Sequence, residues 1–193
     1  MIAYILTIGR PFLALAVAAM VAAMACSSPG AGAWIILLVL VILEELTDAL
    51  DGYFARRHGA ASLLGGVLDP FVDSISRLAI YLSFALAGWI HLAVPLTMMF
   101  RDLTVAYARV INSAAGAKTC ARPSGKAKAI VQGIGMPAVV LLAWGARGLS
   151  GAALAGGRWA VAAAVLAVTL WSLADYVGGA WPAIVAMARR RPT

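Results

Sequence analysis

Four aspartates in one short stretch are the residues of this chain best suited to chemistry. Segment 48–73 reads DALDGYFARRHGAASLLGGVLDPFVD and holds half of the eight acidic residues of a chain that is 63% hydrophobic. Asp48 and Asp51 are three residues apart, so they share one face of a helix. Asp69 and Asp73, four residues apart, form a second such pair. We therefore predict that two helix ends direct two carboxylate pairs at the space between them.

Carboxylates at this density repel one another, so we expect a cation to neutralise them. Hard divalent ions prefer oxygen ligands, and Mg²⁺ is often held by a few carboxylates together with substrate phosphates. Four carboxylates also suit a two-metal clamp on a phosphate, whereas no cluster of His and Cys lies nearby to favour zinc. The alternative, an idle and solvated charged loop, fits the i, i+3 and i, i+4 spacing poorly.

The composition is that of a polytopic membrane protein. Only 12% of the residues are charged, against roughly 25% in an ordinary soluble domain. The net charge of +7 has no separate basic domain behind it, so we expect anionic lipid headgroups and phosphate ligands as partners, and no nucleic acid. We predict a single domain over 1–193. Cys26 and Cys120 are expected to be unpaired, with processing of the N-terminus at Cys26 as an open alternative.

Six apolar segments approach the length of about 20 residues that crosses a bilayer. Glycine, proline, serine or charged residues separate them, as in connecting loops. The segments 48–69 and 113–128 are predicted connections. The pattern predicts an all-α protein with six transmembrane helices, at about 8–27, 33–52, 70–89, 92–113, 128–146 and 159–180.

Basic residues collect near alternate connections. Only Arg147 and Arg158 lie on the opposite side. The positive-inside rule therefore predicts that both termini are cytoplasmic, with an active site at the cytoplasmic ends of helices 2 and 3 in the inner membrane. The nine residues on the cytoplasmic side are Arg56, Arg57, Lys118, Arg122, Lys126, Lys128, Arg189, Arg190 and Arg191.

The stretch resembles the signature of the CDP-alcohol phosphotransferase family, D-x2-D-G-x2-A-R-x8-G-x3-D-x3-D. Eight fixed positions at the right spacing are far more specific than a lone glycine pattern. The resemblance implies a six-helix, usually dimeric membrane enzyme that transfers a phosphatidyl or similar group from a CDP-linked donor to an alcohol and releases CMP. The matching residues are Asp48, Asp51, Gly52, Ala55, Arg56, Gly65, Asp69 and Asp73.

The resemblance also implies a role for each of these residues. Two divalent ions, Mg²⁺ or Mn²⁺, would be bound, and Asp73 would be the general base that takes the proton of the acceptor hydroxyl. The implied metal ligands are Asp48, Asp51, Asp69 and Asp73. The implied residues of the site for the cytidine diphosphate part of CDP-diacylglycerol, or of a related donor, are Asp48, Gly52, Ala55, Arg56, Gly65 and Asp69.

Cations outside the signature suggest how the acceptor alcohol is recognised. Arg101 and Arg109 are eight residues apart, so they point in similar directions along a helix. Arg101 and Asp102 in mid-span are costly in lipid and should face protein or water. An acceptor phosphate would explain these cations, while topology and lipid contact are an equal alternative for the other basic residues. The predicted acceptor-binding residues are Arg101, Arg109, Arg122, Lys126 and Lys128.

Two short segments resemble phosphatidylglycerophosphate synthases: GKAKAIVQ at 125–132 and LDP at 68–70. They imply glycerol 3-phosphate as the acceptor. Val72, Ser74 and Ala129 depart from that branch, and VAYARVINSAAG is similar to a helix of relatives that use inositol phosphate, the closest rival acceptor.

Two other classes of protein remain open on the sequence. An ion-coupled transporter would carry its acids near the midplane, with broken helices in both halves; neither feature is visible in the pattern. A non-catalytic scaffold would be expected to lack motif aspartates. Thr7, Arg10 and Glu44 are further weak candidates for the active site, and Asp175 has no evident partner.

Overall fold

The computed structural model describes residues 2–57, 63–114, 122–146 and 151–188, and their side chains outside 2–7, 49, 51–57, 63–67 and 151–153. No strand occurs in these ranges, so the all-α prediction with six helices is confirmed for the described part of the chain. The helices are α1 (Ile2–Ala25), α2 (Ala31–Arg57), α3 (Leu63–Leu86), α4 (Ala93–Ala114), α5 (Pro123–Gly145) and α6 (Gly151–Ala188).

The helices pack as two groups of three. In the first group α1 lies against α2 and α3, and in the second α6 lies against α4 and α5. Contacts of α2 with α5, and of α3 with α4 and α5, join the groups. Helices α2, α3 and α5 therefore meet at the junction, where charged side chains from both groups can reach one another.

Apolar side chains fill the interior and also cover much of the surface. Phe84 is fully buried at the end of α3, with ring centroids 6.1 Å from Tyr81 and 5.7 Å from Trp89. Phe12 and Phe100 are exposed, together with many leucine, isoleucine and valine side chains of the other helices. An apolar surface of this extent indicates contact with lipid or another apolar partner.

Within the described residues, three helices are long and apolar enough to cross a membrane: the segments Ile8–Ala25, Pro123–Gly145 and Leu154–Ala188. They indicate a membrane protein. Helices α2, α3 and α4 have 27, 24 and 22 residues, so their length suffices at 1.5 Å per residue. Their charged residues set them apart from the other three in composition.

Several predicted boundaries are wrong, because the helices continue beyond the apolar runs. The predicted connection 48–69 is helical throughout its described residues, since α2 reaches Arg57 and α3 begins at Leu63. Residues 58–62 lie outside the described part of the chain. Helix α5 begins at Pro123 rather than 128, with proline in its first turn, where the missing N–H costs no hydrogen bond. Backbone hydrogen bonds do not require apolar side chains, so hydropathy alone misplaces such ends.

Helix α3 ends at a glycine that turns the chain towards α4. Gly88 has a φ of 73°, a conformation that costs glycine little. The N–H of Trp89 donates to the carbonyl of Phe84 at 2.8 Å, and that of Gly88 donates to Ala85 at 3.0 Å. This Schellman arrangement satisfies the last carbonyls of α3 and brings α4 back against it.

Replacing Phe84 by alanine should destabilise the protein by about 3–5 kcal/mol, because a buried aromatic ring is lost and a cavity remains. Thermal unfolding in detergent measures the effect. Phe12→Ala removes the same side chain from an exposed position and should leave the unfolding temperature nearly unchanged. Equal destabilisation by both variants would show that Phe84 is not part of the core.

Candidate functional site

A single arginine of α1 joins the aspartates of α2 and α3. Arg10 is only 3% exposed, and its Nη1 lies 2.6 Å from Oδ1 of Asp48. Its Nη2 lies 3.3 Å from Oδ1 of Asp73 and 3.3 Å from Oε1 of Glu44. Charge-assisted bonds of this kind are the stronger hydrogen bonds of proteins. Three helices are thereby held around one guanidinium group.

A second arginine binds the same two aspartates from the other side. Arg77 is 2% exposed, with Nε 3.1 Å from Oδ1 of Asp73 and Nη2 3.2 Å from Oδ2 of Asp48. It also forms a forked pair with Glu45, at 3.1 Å and 3.2 Å. We call this group the aspartate cluster: Glu44, Glu45, Asp48 and Asp73 with Arg10 and Arg77.

The aspartate cluster keeps open carboxylate oxygens and a surplus of negative charge. With every group ionised, four carboxylates meet two guanidinium groups, so two negative charges remain. The side chains of Asp48 and Asp73 are 34% and 22% exposed. Oδ2 of Asp73 has no hydrogen bond within the described residues. Asp69 is exposed and likewise has no described partner.

Part of the signature lies where side chains are not described. The predicted metal ligand Asp51 belongs to α2, and Gly65 of the predicted CDP site belongs to α3. For the signature residues whose side chains are not described, the structure gives only the helix that contains them. The residues whose side chains, or whole positions, lie outside the described part are Thr7, Asp51, Gly52, Ala55, Arg56, Arg57, His58, Gly65, Lys118, Cys120, Arg147, Arg189, Arg190 and Arg191.

The donor chemistry of the cluster fits a hard divalent cation. Each carboxylate offers about four lone-pair directions. Asp48 accepts hydrogen bonds from two arginine N–H groups, and Asp73 accepts one and has Arg77 as a further ion-pair partner. Capacity for metal coordination therefore remains on both, and on Asp69. Among the described side chains no three carboxylate, histidine or cysteine groups already converge on one point. The fit thus rests on oxygen donors and residual charge.

A second group of charges lies between α4, α5 and α6. Nζ of Lys128 lies 2.8 Å and 3.2 Å from the two carboxylate oxygens of Asp102. Arg101 binds the same carboxylate at 2.7 Å, and its Nη2 donates to Ser172 Oγ at 2.6 Å. Arg101 and Lys128 are buried, and buried charges need such partners. Two of the predicted acceptor residues are therefore already paired with a carboxylate.

Tyr176 of α6 is the centre around which the arginines gather. Its ring centroid lies 5.2 Å from the guanidinium carbon of Arg101, 5.6 Å from that of Arg109 and 5.8 Å from that of Arg122. Such distances allow cation–π attraction. The hydroxyl accepts hydrogen bonds from Nη2 of Arg109, at 3.5 Å, and from the backbone N–H of Arg122, at 3.3 Å. Arg101 and Arg109 thus point the same way, as their spacing predicted.

Asp175 fixes the start of α5 against α6. It accepts hydrogen bonds from Nη1 of Arg122, at 2.6 Å, and from Ser124 Oγ. A side chain at Gly179 would collide with the Arg122 guanidinium, so this glycine permits the approach. We call this group the tyrosine cluster: Arg101, Arg109, Arg122 and Lys128 with Asp102, Asp175, Ser172 and Tyr176.

The tyrosine cluster carries a surplus of positive charge. Four cations meet two carboxylates, which leaves two positive charges when every group is ionised. Lys126, the remaining predicted acceptor residue, is exposed, and its side chain has no hydrogen bond or ion pair within the described residues. Residues two apart on a helix face different directions, so Lys126 and Lys128 cannot serve one site in the same way.

The sequence did not identify every member of the two clusters. Ser172 and Tyr176 were missed, and Asp175 had no assigned partner. All three belong to a long apolar segment, where intramembrane polar residues are rare and usually functional. The rarity of polar residues in such a segment was the signal that could have identified these three. Glu45 was not proposed as a site residue, although its place three residues before Asp48 puts it near the same helix face.

Arg10→Gln should destabilise the protein by about 3–5 kcal/mol, because it leaves Glu44, which is fully buried, without its cation. Adding Glu44→Gln should restore part of the loss, since the uncompensated charge is then removed. Denaturant unfolding of the single and double variants measures both effects. A double variant less stable than Arg10→Gln would contradict the pairing.

Comparison with known proteins places the chain in a family. The CDP-alcohol phosphatidyltransferase family model matches residues 1–187. A CDP-diacylglycerol–glycerol-3-phosphate 3-phosphatidyltransferase of Treponema pallidum is 30% identical over 91 residues, 47% of this chain and 42% of the relative. A protein of the same name from Yersinia pestis is 29% identical over 148 residues, 74% of this chain and 77% of the relative.

A relative with another name matches over a similar length. An archaetidylinositol phosphate synthase of Pyrococcus horikoshii is 32% identical over 83 residues, 43% of this chain and 44% of the relative. The chain thus spans less than half the length of this relative and of the Treponema pallidum relative. The family match covers nearly the whole chain, and the chain belongs to the CDP-alcohol phosphatidyltransferase family.

Proposed function

We propose that this protein transfers a phosphatidyl group from CDP-diacylglycerol to glycerol 3-phosphate and releases CMP. Family membership and the glycerol-3-phosphate phosphatidyltransferases among its relatives support this activity. The observation that carries the proposal is the pairing of a negative aspartate cluster with a positive tyrosine cluster, which contact neighbouring residues of the same helix, α5. The first suits a cation bound with the donor pyrophosphate, and the second suits the phosphate of the acceptor.

Asp73 is the proposed general base. Its Oδ1 accepts a hydrogen bond from Arg10 and lies 3.1 Å from Nε of Arg77, which leaves Oδ2 as the atom that takes the proton of the acceptor hydroxyl. The hydroxyl oxygen then forms a bond to the phosphorus of the phosphatidyl group. The bond from that phosphorus to the bridging oxygen breaks, and CMP leaves with the electron pair. Arg10 and Arg77 hold the carboxylate in place during the transfer.

Asp48, Asp51, Asp69 and Asp73 are the proposed ligands of Mg²⁺ or Mn²⁺, in one or two sites. A bound divalent ion would offset the negative charge that develops on the pyrophosphate. Asp48 and Asp73 have lone pairs left for this role, and the exposed Asp69 has no competing partner among the described residues. Gly52, Ala55, Arg56 and Gly65 remain proposed neighbours of the donor nucleotide, on the resemblance alone.

Arg109 and Arg122 are the proposed ligands of the acceptor phosphate. Both lie beside Tyr176, and Arg109 has no carboxylate partner within the described residues. Arg101 and Lys128 are proposed to act behind them through Asp102, and the exposed Lys126 to guide anions to the site. Inositol phosphate is the second candidate acceptor, because archaetidylinositol phosphate synthases of two archaea match with 32% and 35% identity.

The topology is proposed with the function. We propose that all six helices of the single domain cross the inner membrane and that both termini and the active site are cytoplasmic. The concentration of basic residues near alternate connections supports this orientation. A homodimer is proposed on the family resemblance.

Purified protein with Mg²⁺ or Mn²⁺ should release CMP from CDP-diacylglycerol when glycerol 3-phosphate is present, and Asp73→Asn should abolish the release, because the base is lost. Arg158→Gln, a change near the other end of α6, is the control and should release CMP at the unmutated rate. Failure with glycerol 3-phosphate but success with inositol 1-phosphate would identify the second candidate. No release with any acceptor would contradict the activity.

Arg109→Gln should raise the KM for glycerol 3-phosphate about tenfold or more, since a charge-assisted contact to phosphate contributes roughly 1.5–3 kcal/mol. The KM for CDP-diacylglycerol should change little, because the donor is proposed to bind at the other cluster. Steady-state kinetics with each substrate varied in turn measures both constants. Equal increases in the two constants would contradict a separate acceptor site.

A further inference from the structure

Arg77 lies outside the eight signature positions, yet it contacts more of the aspartate cluster than any signature residue described. It is almost completely buried, and each of its three nitrogen atoms has a partner. Two partners are on α2, Glu45 and Asp48, and one is Asp73 on its own helix. A guanidinium group so enclosed cannot serve as a solvent-facing counterion. Its role therefore depends on the groups that it binds.

The fourth partner is on α5. Nη1 of Arg77 donates to the backbone carbonyl of Ala129 at 3.0 Å. The next residue towards the N-terminus, Lys128, binds Asp102 of the tyrosine cluster. Consecutive residues of α5 therefore contact the aspartate cluster and the tyrosine cluster. Arg77 is the side chain that ties the motif aspartates to this turn.

Glu45 and Gly133 make that contact possible. Glu45 holds Nε and Nη2 of Arg77 in a fork, the geometry that a planar guanidinium matches and an ammonium does not. A side chain at Gly133, one turn after Ala129, would collide with the Glu45 carboxylate. The absence of a side chain there lets the Glu45–Arg77 pair lie directly on α5.

We propose that Arg77 is the positioning residue that holds Asp48 and Asp73 in their reactive arrangement and sets their distance from the acceptor side through α5. The kinetic consequence of this inference rests on the proposed function, whereas the contacts of Arg77 do not depend on that function. Arg77 touches no substrate in this scheme; it acts through the two aspartates, with Glu45 as its own support.

Two substitutions test the positioning role by kinetics. Arg77→Gln removes the charge and the fork, and Gly133→Ala displaces Glu45 while favouring the helix itself. Both should lower kcat, Arg77→Gln by on the order of 100-fold, because a misplacement of about 1 Å can cost that much. The KM for both substrates should change little, since no substrate contact is lost. Arg158→Gln is the matched control for loss of a cation and should retain kcat.

Thermal unfolding in detergent provides a readout that does not need activity. Arg77→Gln should lower the unfolding temperature, because Asp48 and Asp73 then keep only one of their two shared cations, Arg10, and Glu45 loses its described cation. Adding Asp48→Asn should raise it again, since one of the two charges is removed. The proposal would be overturned if the decreases in unfolding temperature of the two single variants simply added in the double variant.

The two readouts separate the possible failures. Coupled unfolding with an unchanged kcat in Arg77→Gln would overturn the positioning role and leave a purely structural ion pair. A lower kcat together with an equally raised KM for one substrate would also overturn it, by making Arg77 a binding residue. No CMP from the unmutated protein would sink the proposed function, and the unfolding cycle would then decide alone whether Arg77 holds the aspartates.

Discussion

The structure depends on the neutralisation of carboxylates that would otherwise repel one another in an apolar environment. Asp48 and Asp73 come from different helices, and neither could lie beside the other without Arg10 and Arg77. Each arginine contacts both aspartates, so the two guanidinium groups act as clamps between α1, α2 and α3. Removing one member of such a buried group costs more than the intact group contributes, because a charge is left uncompensated. Chemistry and stability are therefore coupled at this site.

Charge is divided between the two ends of the proposed reaction. With every group ionised, the aspartate cluster has an excess of two negative charges and the tyrosine cluster an excess of two positive ones, and α5 contacts both through Ala129 and Lys128. A cation and a phosphate are the complementary ligands of these two clusters. Asp102 moderates the second cluster: it binds both Arg101 and Lys128 and leaves Arg109, beside Tyr176, as the cation without a described carboxylate partner. A positive excess beside Tyr176 suits a phosphorylated acceptor better than a neutral one.

The spacing of charged residues predicted much of this arrangement. One member of each predicted pair, Asp48 and Asp73, lies in the aspartate cluster, whereas Asp69 is exposed outside it. The eight-residue spacing of Arg101 and Arg109 predicted that they point together. Composition predicted the all-α membrane protein. Hydropathy misplaced the helix ends, because a helix does not stop where its side chains become polar. The start of α5 at Pro123 puts Lys126 and Lys128 on one helix, where they face different directions. The predicted connection, which ended at 128, did not reveal this.

What the sequence did not reveal depends on packing between distant segments. Arg77 reaches Ala129 across 52 positions, and its partner there is a backbone carbonyl, which no residue type announces. Tyr176 gathers three arginines from α4 and from the start of α5, and only the tertiary structure brings them to one ring. Gly133 is needed because Glu45 lies against it, a steric reason that local sequence does not contain.

The tyrosine cluster is proposed to recognise the phosphate of the acceptor, while the aspartates carry out the transfer. The most direct measurement compares kcat/KM for glycerol 3-phosphate with that for glycerol, under identical donor and metal conditions. We expect the value for glycerol to be lower by about 10⁴-fold, because a site built for a polar group rejects the analogue that lacks it. Comparable values for the two alcohols would contradict recognition of the phosphate by this cluster.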